Sequence, residues 1–250
     1  MRINLPLWVA PPNRAKNRGE AWRSNLSRVR NEYRELQQNP RRLTVYVIDD
    51  DSSLRTMISR MIAESPDFSS HPFASAADFL DGLDGLKPGC ILLDLRMPDM
   101  DGFTLMQTLR ERGIDWPVIV MTGAGDVPVA VQSMKLGAVE FLEKPIRIDP
   151  LLETLGRAAG LLQERLQAGE RYREAKARVD QLTARELEVL QGLLAGQSNK
   201  ELAQSLGISL RTVEMHRGNM MDRLGVSSLA QAVALALEAG VRPPAQTSAF

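Results

Sequence analysis

Residues 90–102 read Cys-Ile-Leu-Leu-Asp-Leu-Arg-Met-Pro-Asp-Met-Asp-Gly, an apolar run that delivers Asp94 to a turn rich in Pro, Asp and Gly. A run of this length closed by such a turn reads as a buried parallel strand. In open α/β sheets chemistry gathers where the strands end at their carboxyl edge, and Asp94 stands at such an edge. Three more runs end in the same way. Val45-Tyr46-Val47-Ile48 leads into Asp49 and Asp50, Val118-Ile119-Val120-Met121 into Thr122, and Phe141-Leu142 reaches Lys144 just beyond.

Three carboxylates converging on one pocket repel one another unless a hard divalent cation neutralises them, and Mg2+ with oxygen ligands suits that role. A carboxylate beside such a cation can act as nucleophile toward phosphorus and form an aspartyl phosphate. Lys144 and Thr122 then supply a cation and a donor for the oxygens of the transferred group. An Asp-Asp pair alone reads equally well as a solvated loop or a helix cap. Five such groups on consecutive strand ends do not.

Outward from Asp94, strand-like runs alternate with helical patterns. Val45–Asp49 precedes a helix over Leu54–Glu64, and Phe68–Phe73 precedes one from about Ala76 to Leu83. Cys90–Leu93 precedes a helix from Phe103 to about Arg112, Val118–Met121 one from about Val127 to Leu136, and Glu140–Leu142 the helix after Asp149. Five such units predict an α/β flavodoxin-like fold, a doubly wound parallel sheet in the order 2-1-3-4-5.

The stretch from about Thr44 to Gly160 resembles the receiver domain of two-component response regulators. "LLDLRMPDMDG" followed by "VIVMTGAGDVPVAVQSMKLGAVEFLEKP" is most similar to the FixJ-type branch. The resemblance implies that Asp94 is the phosphoacceptor and that Asp49 and Asp50 hold Mg2+, with the backbone carbonyl of Arg96 as a further ligand. It also implies that Thr122 and Phe141 form a switch pair, that Lys144 binds the phosphoryl oxygen, and that Lys144-Pro145 is a cis peptide. The sequence departs from FixJ-like chains at Ala124, where they often carry His. That position bears on the rate of autodephosphorylation.

Composition excludes other classes. The 250-residue chain is long enough for two domains with cores. Its single cysteine, Cys90, cannot form an internal disulfide, and its apolar strand favours inert packing. Neither a membrane span nor a signal peptide is legible, which predicts a cytoplasmic protein. The net charge of zero hides an asymmetry: residues 1–42 carry 10 basic and 3 acidic groups, whereas 43–150 carry 9 and 17. The basic extension is read as a poorly ordered tail or one helix over Glu20–Gln38, available for docking or for phosphate contacts. The acidic middle fits a cation-binding pocket. No Cys/His cluster supports zinc, and no Gly-rich loop implies ATP.

From Asp149 to about Gln181 the chain is helix-permissive, with Leu152, Leu155, Ala159, Leu162 and Leu166 at coiled-coil spacing. Residues 161–181 are read as a linker helix with dimer contacts. Beyond it, Thr183-Ala184-Arg185-Glu186 and Ser198-Asn199-Lys200-Glu201 are both capping boxes ahead of apolar helical patterns. Gly207 permits the sharp turn of a helix-turn-helix, and Ser209 can cap a third helix, Leu210–Leu224. At 100° steps Val213, Met220 and Leu224 share one face, with Arg211, Glu214, Met215, Gly218 and Asp222 opposite. That is how a recognition helix enters the major groove. A fourth helix over Leu229–Ala239 presents Leu229, Ala232, Val233 and Ala236 as core, or partly as a dimer surface.

"LTARELEVLQGLLAGQSNKELAQSLGISLRTVEMHRGNMMDRLGVSS" resembles the LuxR-type helix-turn-helix, so residues 182–250 are expected to form an all-α DNA-binding domain. The resemblance implies that Lys200, Arg211, Thr212, Glu214, Met215, Arg217 and Arg223 lie close to DNA. Charge alone assigns Lys200, Arg217 and Arg223 to phosphates, while Arg211, Glu214 and Met215 can reach base edges. Gly218 replaces the Lys of relatives, which removes one contact.

Residues 43–160, 161–181 and 182–250 together read as a response regulator rather than an enzyme, beyond assisting its own phosphorylation and dephosphorylation. Its expected partners are a sensor histidine kinase, double-stranded promoter DNA, RNA polymerase, and a second copy of the chain on phosphorylation. Two other readings remain at this level. One is a receiver serving as phosphate sink or protein-interaction module. The other is a ligand-sensing LuxR regulator, which the acidic pocket disfavours because small apolar ligands want an apolar cavity.

Overall fold

The computed structural model describes residues 42–123 and 127–243, so the basic extension, Ala124 and the last seven residues lie outside the described residues. The chain divides into two compact units, one ending at Ala159 and the other beginning at Gly160.

The first unit is a parallel sheet of β1 (Leu43–Ile48), β2 (Phe68–Phe73), β3 (Cys90–Asp94), β4 (Val118–Thr122) and β5 (Glu140–Glu143) in the order β2-β1-β3-β4-β5. Every residue of β3 and of β4 is buried, as a central strand covered on both faces requires. Side-chain alternation sorts the core into two layers. Tyr46, Ile48, Ile91, Leu93, Val118 and Val120 meet helices α2 (Ala76–Gly82) and α3 (Gly102–Glu111) on one face. Val45, Val47, Cys90, Leu92, Ile119 and Met121 meet α1 (Ser52–Ala63) and Leu151 and Leu155 of α5 (Ile148–Val179) on the other. Burial holds the Cys90 thiol pKa up at about 12, so it is inert packing.

Some boundaries differ from the sequence reading, for local reasons. α1 begins at Ser52 rather than Leu54, because the Asp51 side chain caps it, accepting from the N–H groups of Ser53 and Leu54. α4 occupies Val127–Leu136 as expected. α5 is one helix of 32 residues. Its Gly156 and Gly160 face open space, so the cost of glycine there is conformational and not a clash.

The second unit contains the C-terminal part of α5 followed by α6 (Ala184–Leu194), α7 (Asn199–Leu206), α8 (Leu210–Leu224) and α9 (Leu229–Glu238). Both capping boxes form, at Thr183/Glu186 and Ser198/Glu201. Gly207 ends α7 at φ 65°, where a side chain would be strained. Val213, Met220 and Leu224 of α8 pack with Val189, Leu190 and Leu202, and Ala175 and Val179 of α5 join the same core. On α9 the buried positions are Ala232 and Ala236, with Ala239 buried just beyond its end and Leu235 packed against the same core. Ala232 and Ala236 are buried and Val233 half-buried, as the expected stripe has it, whereas Leu229 at the start of the helix is exposed.

Candidate functional site

The carboxyl ends of four adjacent strands build the first site. β1 delivers Asp49 and Asp50, β3 ends at Asp94, β4 ends at Thr122, and Lys144 follows β5 directly. Gly102 makes the close approach of α3 possible. A Cβ there would stand 2.7 Å from the Asp94 carbonyl oxygen and 2.9 Å from Leu95 Cα. The Gly102 N–H instead donates to the Leu95 carbonyl at 3.1 Å, folding the Met-Pro-Asp turn back on the strand end.

Lys144 Nζ lies 3.0 Å from Asp49 Oδ2 and 3.0 Å from Asp94 Oδ1, bridging the two carboxylates. Its peptide to Pro145 is cis. Asp49 and Asp94 are both buried. Burial raises the Asp94 carboxyl above the ordinary aspartate value, and the neighbouring Asp49 charge adds to that. The hydrogen bond and charge of Lys144 and the Arg96 N–H oppose the rise without cancelling it. Burial works against the charged form of Lys144, but its bonds to Asp94 and Asp49 outweigh burial and hold the ammonium above its ordinary value.

Asp50 is exposed, and one carboxylate oxygen from each of Asp49, Asp50 and Asp94 lies within 4.8 Å of the others. Three hard oxygen donors converging at this spacing fit a divalent cation. Thr122 Oγ1 is buried and has no hydrogen-bond partner. A buried hydroxyl left this way costs stability. Phe141 is 45% exposed and stands beside Val120 in the sheet, one strand away from Thr122.

Two residues were missed by the sequence reading. The Asp51 N–H donates to Asp49 Oδ1 at 2.8 Å, and Arg55 Nη1 donates to the Asp49 carbonyl at 2.5 Å. Together they fix the loop that presents Asp49 inward and Asp50 outward. The helix-capping pattern at Asp51 was the available signal; Arg55, four residues on along α1, follows from it.

In the second unit, α8 presents Arg211, Glu214 and Met215 to solvent, with Gly218 and Asp222 on the same side. Lys200 is exposed at the start of α7, and Thr212 is half-buried with its N–H bonded to Ser209 Oγ at 3.1 Å. Two candidate phosphate ligands are engaged within the protein. Arg217 Nη1 donates to Asn199 Oδ1, and Arg223 Nε lies 3.2 Å from Glu186 Oε1.

Comparison with known proteins agrees with both halves. Residues 45–156 match the response regulator receiver domain, and residues 180–236 match the luxR family of bacterial regulatory proteins. The chain is 41% identical to the transcriptional regulatory protein FixJ of Bradyrhizobium diazoefficiens over 197 residues, which is 79% of this chain and 96% of that protein. It is 38% identical to the transcriptional regulatory protein TdiR of Thauera aromatica, covering 74% and 81% of the two chains. Among solved structures it is similar to the response regulator StyR, with TM-score 0.65 and 38% identity over 78% of this chain and 98% of that one. Full-length FixJ from B. japonicum gives TM-score 0.50 and 40% identity over 79% and 97%.

Proposed function

Because the chain belongs to the FixJ-type response regulators, transcription regulators that join a receiver to a LuxR-type DNA-binding domain, we propose that Asp94 is its phosphoacceptor. The observation that carries this is the bridge from Lys144 to Asp49 and Asp94, 3.0 Å to each, beside the unpartnered hydroxyl of Thr122. An Asp94 oxygen attacks phosphorus, the bond from phosphorus to the phosphohistidine nitrogen of a sensor kinase breaks, and an acyl phosphate forms. Lys144 then exchanges one carboxylate oxygen for a phosphoryl oxygen, and Thr122 Oγ1 gains the partner it lacks.

The cation we assign to the acidic cluster is Mg2+, held by Asp49, Asp50, Asp94 and the backbone carbonyl of Arg96. When bound, it would neutralise charge developing on the transferred phosphoryl group. The residues meet its preference for hard oxygen, and an exposed Asp50 leaves room for the waters it retains.

Output runs through Thr122 and Phe141. Drawing the Thr122 hydroxyl toward the acyl phosphate opens space into which Phe141, now 45% exposed, can turn. Val131 and Met134 of α4 are exposed to a similar degree. We assign these apolar groups to an isologous contact with a second copy, which suits a two-fold DNA site. The dimer then binds promoter DNA in the cytoplasm and acts with RNA polymerase. Among the described residues no helix is long and apolar enough to cross a membrane.

The test is a mobility shift on promoter fragments with and without a small phosphodonor, together with light scattering. Tighter binding and a larger dimer fraction after phosphorylation are expected. The shift in affinity should correspond to about 1–3 kcal/mol of coupling. Unchanged DNA binding at full phosphorylation would leave the phosphate-sink reading standing instead.

A further inference from the structure

Glu186 is a carboxylate with only 2% of its side chain exposed, in the first turn of α6. Oε2 accepts the Thr183 N–H at 2.8 Å, which closes the capping box. Oε1 faces Arg223 Nε at 3.2 Å, and Arg223 Nη1 reaches the Gln181 carbonyl at 3.4 Å. One guanidinium in the last turn of α8 is therefore tied both to the start of α6 and to the chain just before it. Arginine suits this double contact, since its donors lie in a fixed planar fork.

Position on the helix separates Arg223 from the base-reading residues. It lies twelve residues beyond Arg211, about 18 Å along the axis and roughly 120° around it. A phosphate drawn to Arg223 would also approach the Glu186 carboxylate, which repels it. Burial works to raise the Glu186 carboxyl, yet the Thr183 bonds and the Arg223 and His216 charges hold it below the ordinary glutamate value, so it stays charged.

We propose that Arg223 is a positioning residue for sequence recognition rather than a phosphate ligand: through Glu186 and the Gln181 carbonyl it sets the rotation and depth of α8 against α6. This orientation places Arg211 and Glu214 at the opposite end of the helix in register with base edges. The proposal rests on the DNA-binding reading of this unit and reverses the role that charge alone assigns to Arg223.

The test uses the full chain. Sequences are first enriched from a random duplex pool by the phosphorylated wild type, and affinities for an enriched and a random duplex are then measured over a range of KCl. The decisive variant is Arg223→Lys. Lysine keeps the positive charge, which is all a phosphate contact needs, and still neutralises Glu186, but it cannot hold both α6-side partners. A positioning role predicts an intact fold by circular dichroism, a loss of about tenfold or more on the enriched duplex, and little change on the random one. Glu186→Gln should lose specificity in the same way, and Arg223→Lys combined with Glu186→Gln should be no worse than either alone. Wild-type specificity in Arg223→Lys overturns the proposal. So does an Arg223→Met variant that weakens both duplexes equally and lowers the salt slope by about 0.9, the signature of one lost phosphate contact. Failure of the wild type to enrich any sequence overturns the DNA-binding reading itself and the proposal with it, and is distinguishable from both.

Discussion

The backbone N–H of Lys144 donates to the carbonyl of Thr122 at 2.7 Å. The two residues assigned to the phosphoryl oxygens are thus joined through the sheet at the ends of β4 and β5. Thr122 brings a hydroxyl without a partner, and Lys144 brings an ammonium already committed to Asp49 and Asp94. On the proposed reading, phosphorylation of Asp94 would change what both side chains bind.

Asp94→Asn should reduce labelling by a small phosphodonor to background. An amide is neither the nucleophile nor an adequate ligand for a hard cation. Phosphate-affinity electrophoresis measures this directly, and wild-type labelling of the variant would remove Asp94 as the acceptor.

Labelling should require Mg2+ or Mn2+, and Asp50→Ala should impair it more than Asp49→Ala. Asp49 has one oxygen on Lys144 and the other on the Asp51 N–H, whereas Asp50 is exposed at the cluster. Isothermal titration with Mg2+ gives the affinity apart from activity. Full labelling in excess chelator would refute the metal role.

Thr122→Val should stabilise the unphosphorylated chain while removing its response. The methyl group fills the same volume and relieves a buried hydroxyl with no partner, worth on the order of 1 kcal/mol. Thermal denaturation should show the gain, and mobility shift should show that the phosphodonor no longer tightens DNA binding. A variant that melts lower and still responds would contradict both parts.

Arg211→Ala and Glu214→Ala should relax sequence preference, each at a cost of roughly 1–3 kcal/mol on the specific duplex. Lys200→Ala should instead weaken all duplexes alike and flatten the salt dependence by about 0.9. All three side chains are exposed, with the first two on the outer side of α8 and Lys200 at the start of α7. Equal losses on specific and random DNA for all three would end this division of labour.

Acid should unfold the DNA-binding unit partly through Glu186. In the fold its carboxyl sits below the ordinary value of 4.5, so the unfolded chain takes up the proton more readily. The stabilisation is complete above that value and is lost as pH falls through the folded pKa. The difference in melting temperature between wild type and Glu186→Gln should therefore hold at about pH 6 and shrink below about pH 4.5. A difference that grows on acidification would show that the pair does not act through its charge.

The sheet order was legible because β3 and β4 are buried on both faces and leave near-continuous apolar signatures that end at Asp94 and Thr122. The candidate pocket was legible for the same reason, since its residues sit at strand ends that a parallel sheet must bring to one edge. What pattern could not give was the start of α1, where Asp51 also ties down Asp49, or the exposure of Leu229 at the start of α9.

Local order, periodicity and residue chemistry by themselves determined the two kinds of unit, the strand succession, the capping boxes and the identity of the acidic and basic groups at the pocket. Tertiary structure alone decided which cations are spent within the protein. Charge marks Lys144, Arg217 and Arg223 identically, yet Lys144 bridges two carboxylates, Arg217 holds Asn199, and Arg223 neutralises a buried Glu186. Such pairings join residues 18 to 95 positions apart in the chain. A charge finds its partner through the packing of whole helices and strands, and no local pattern records that distance.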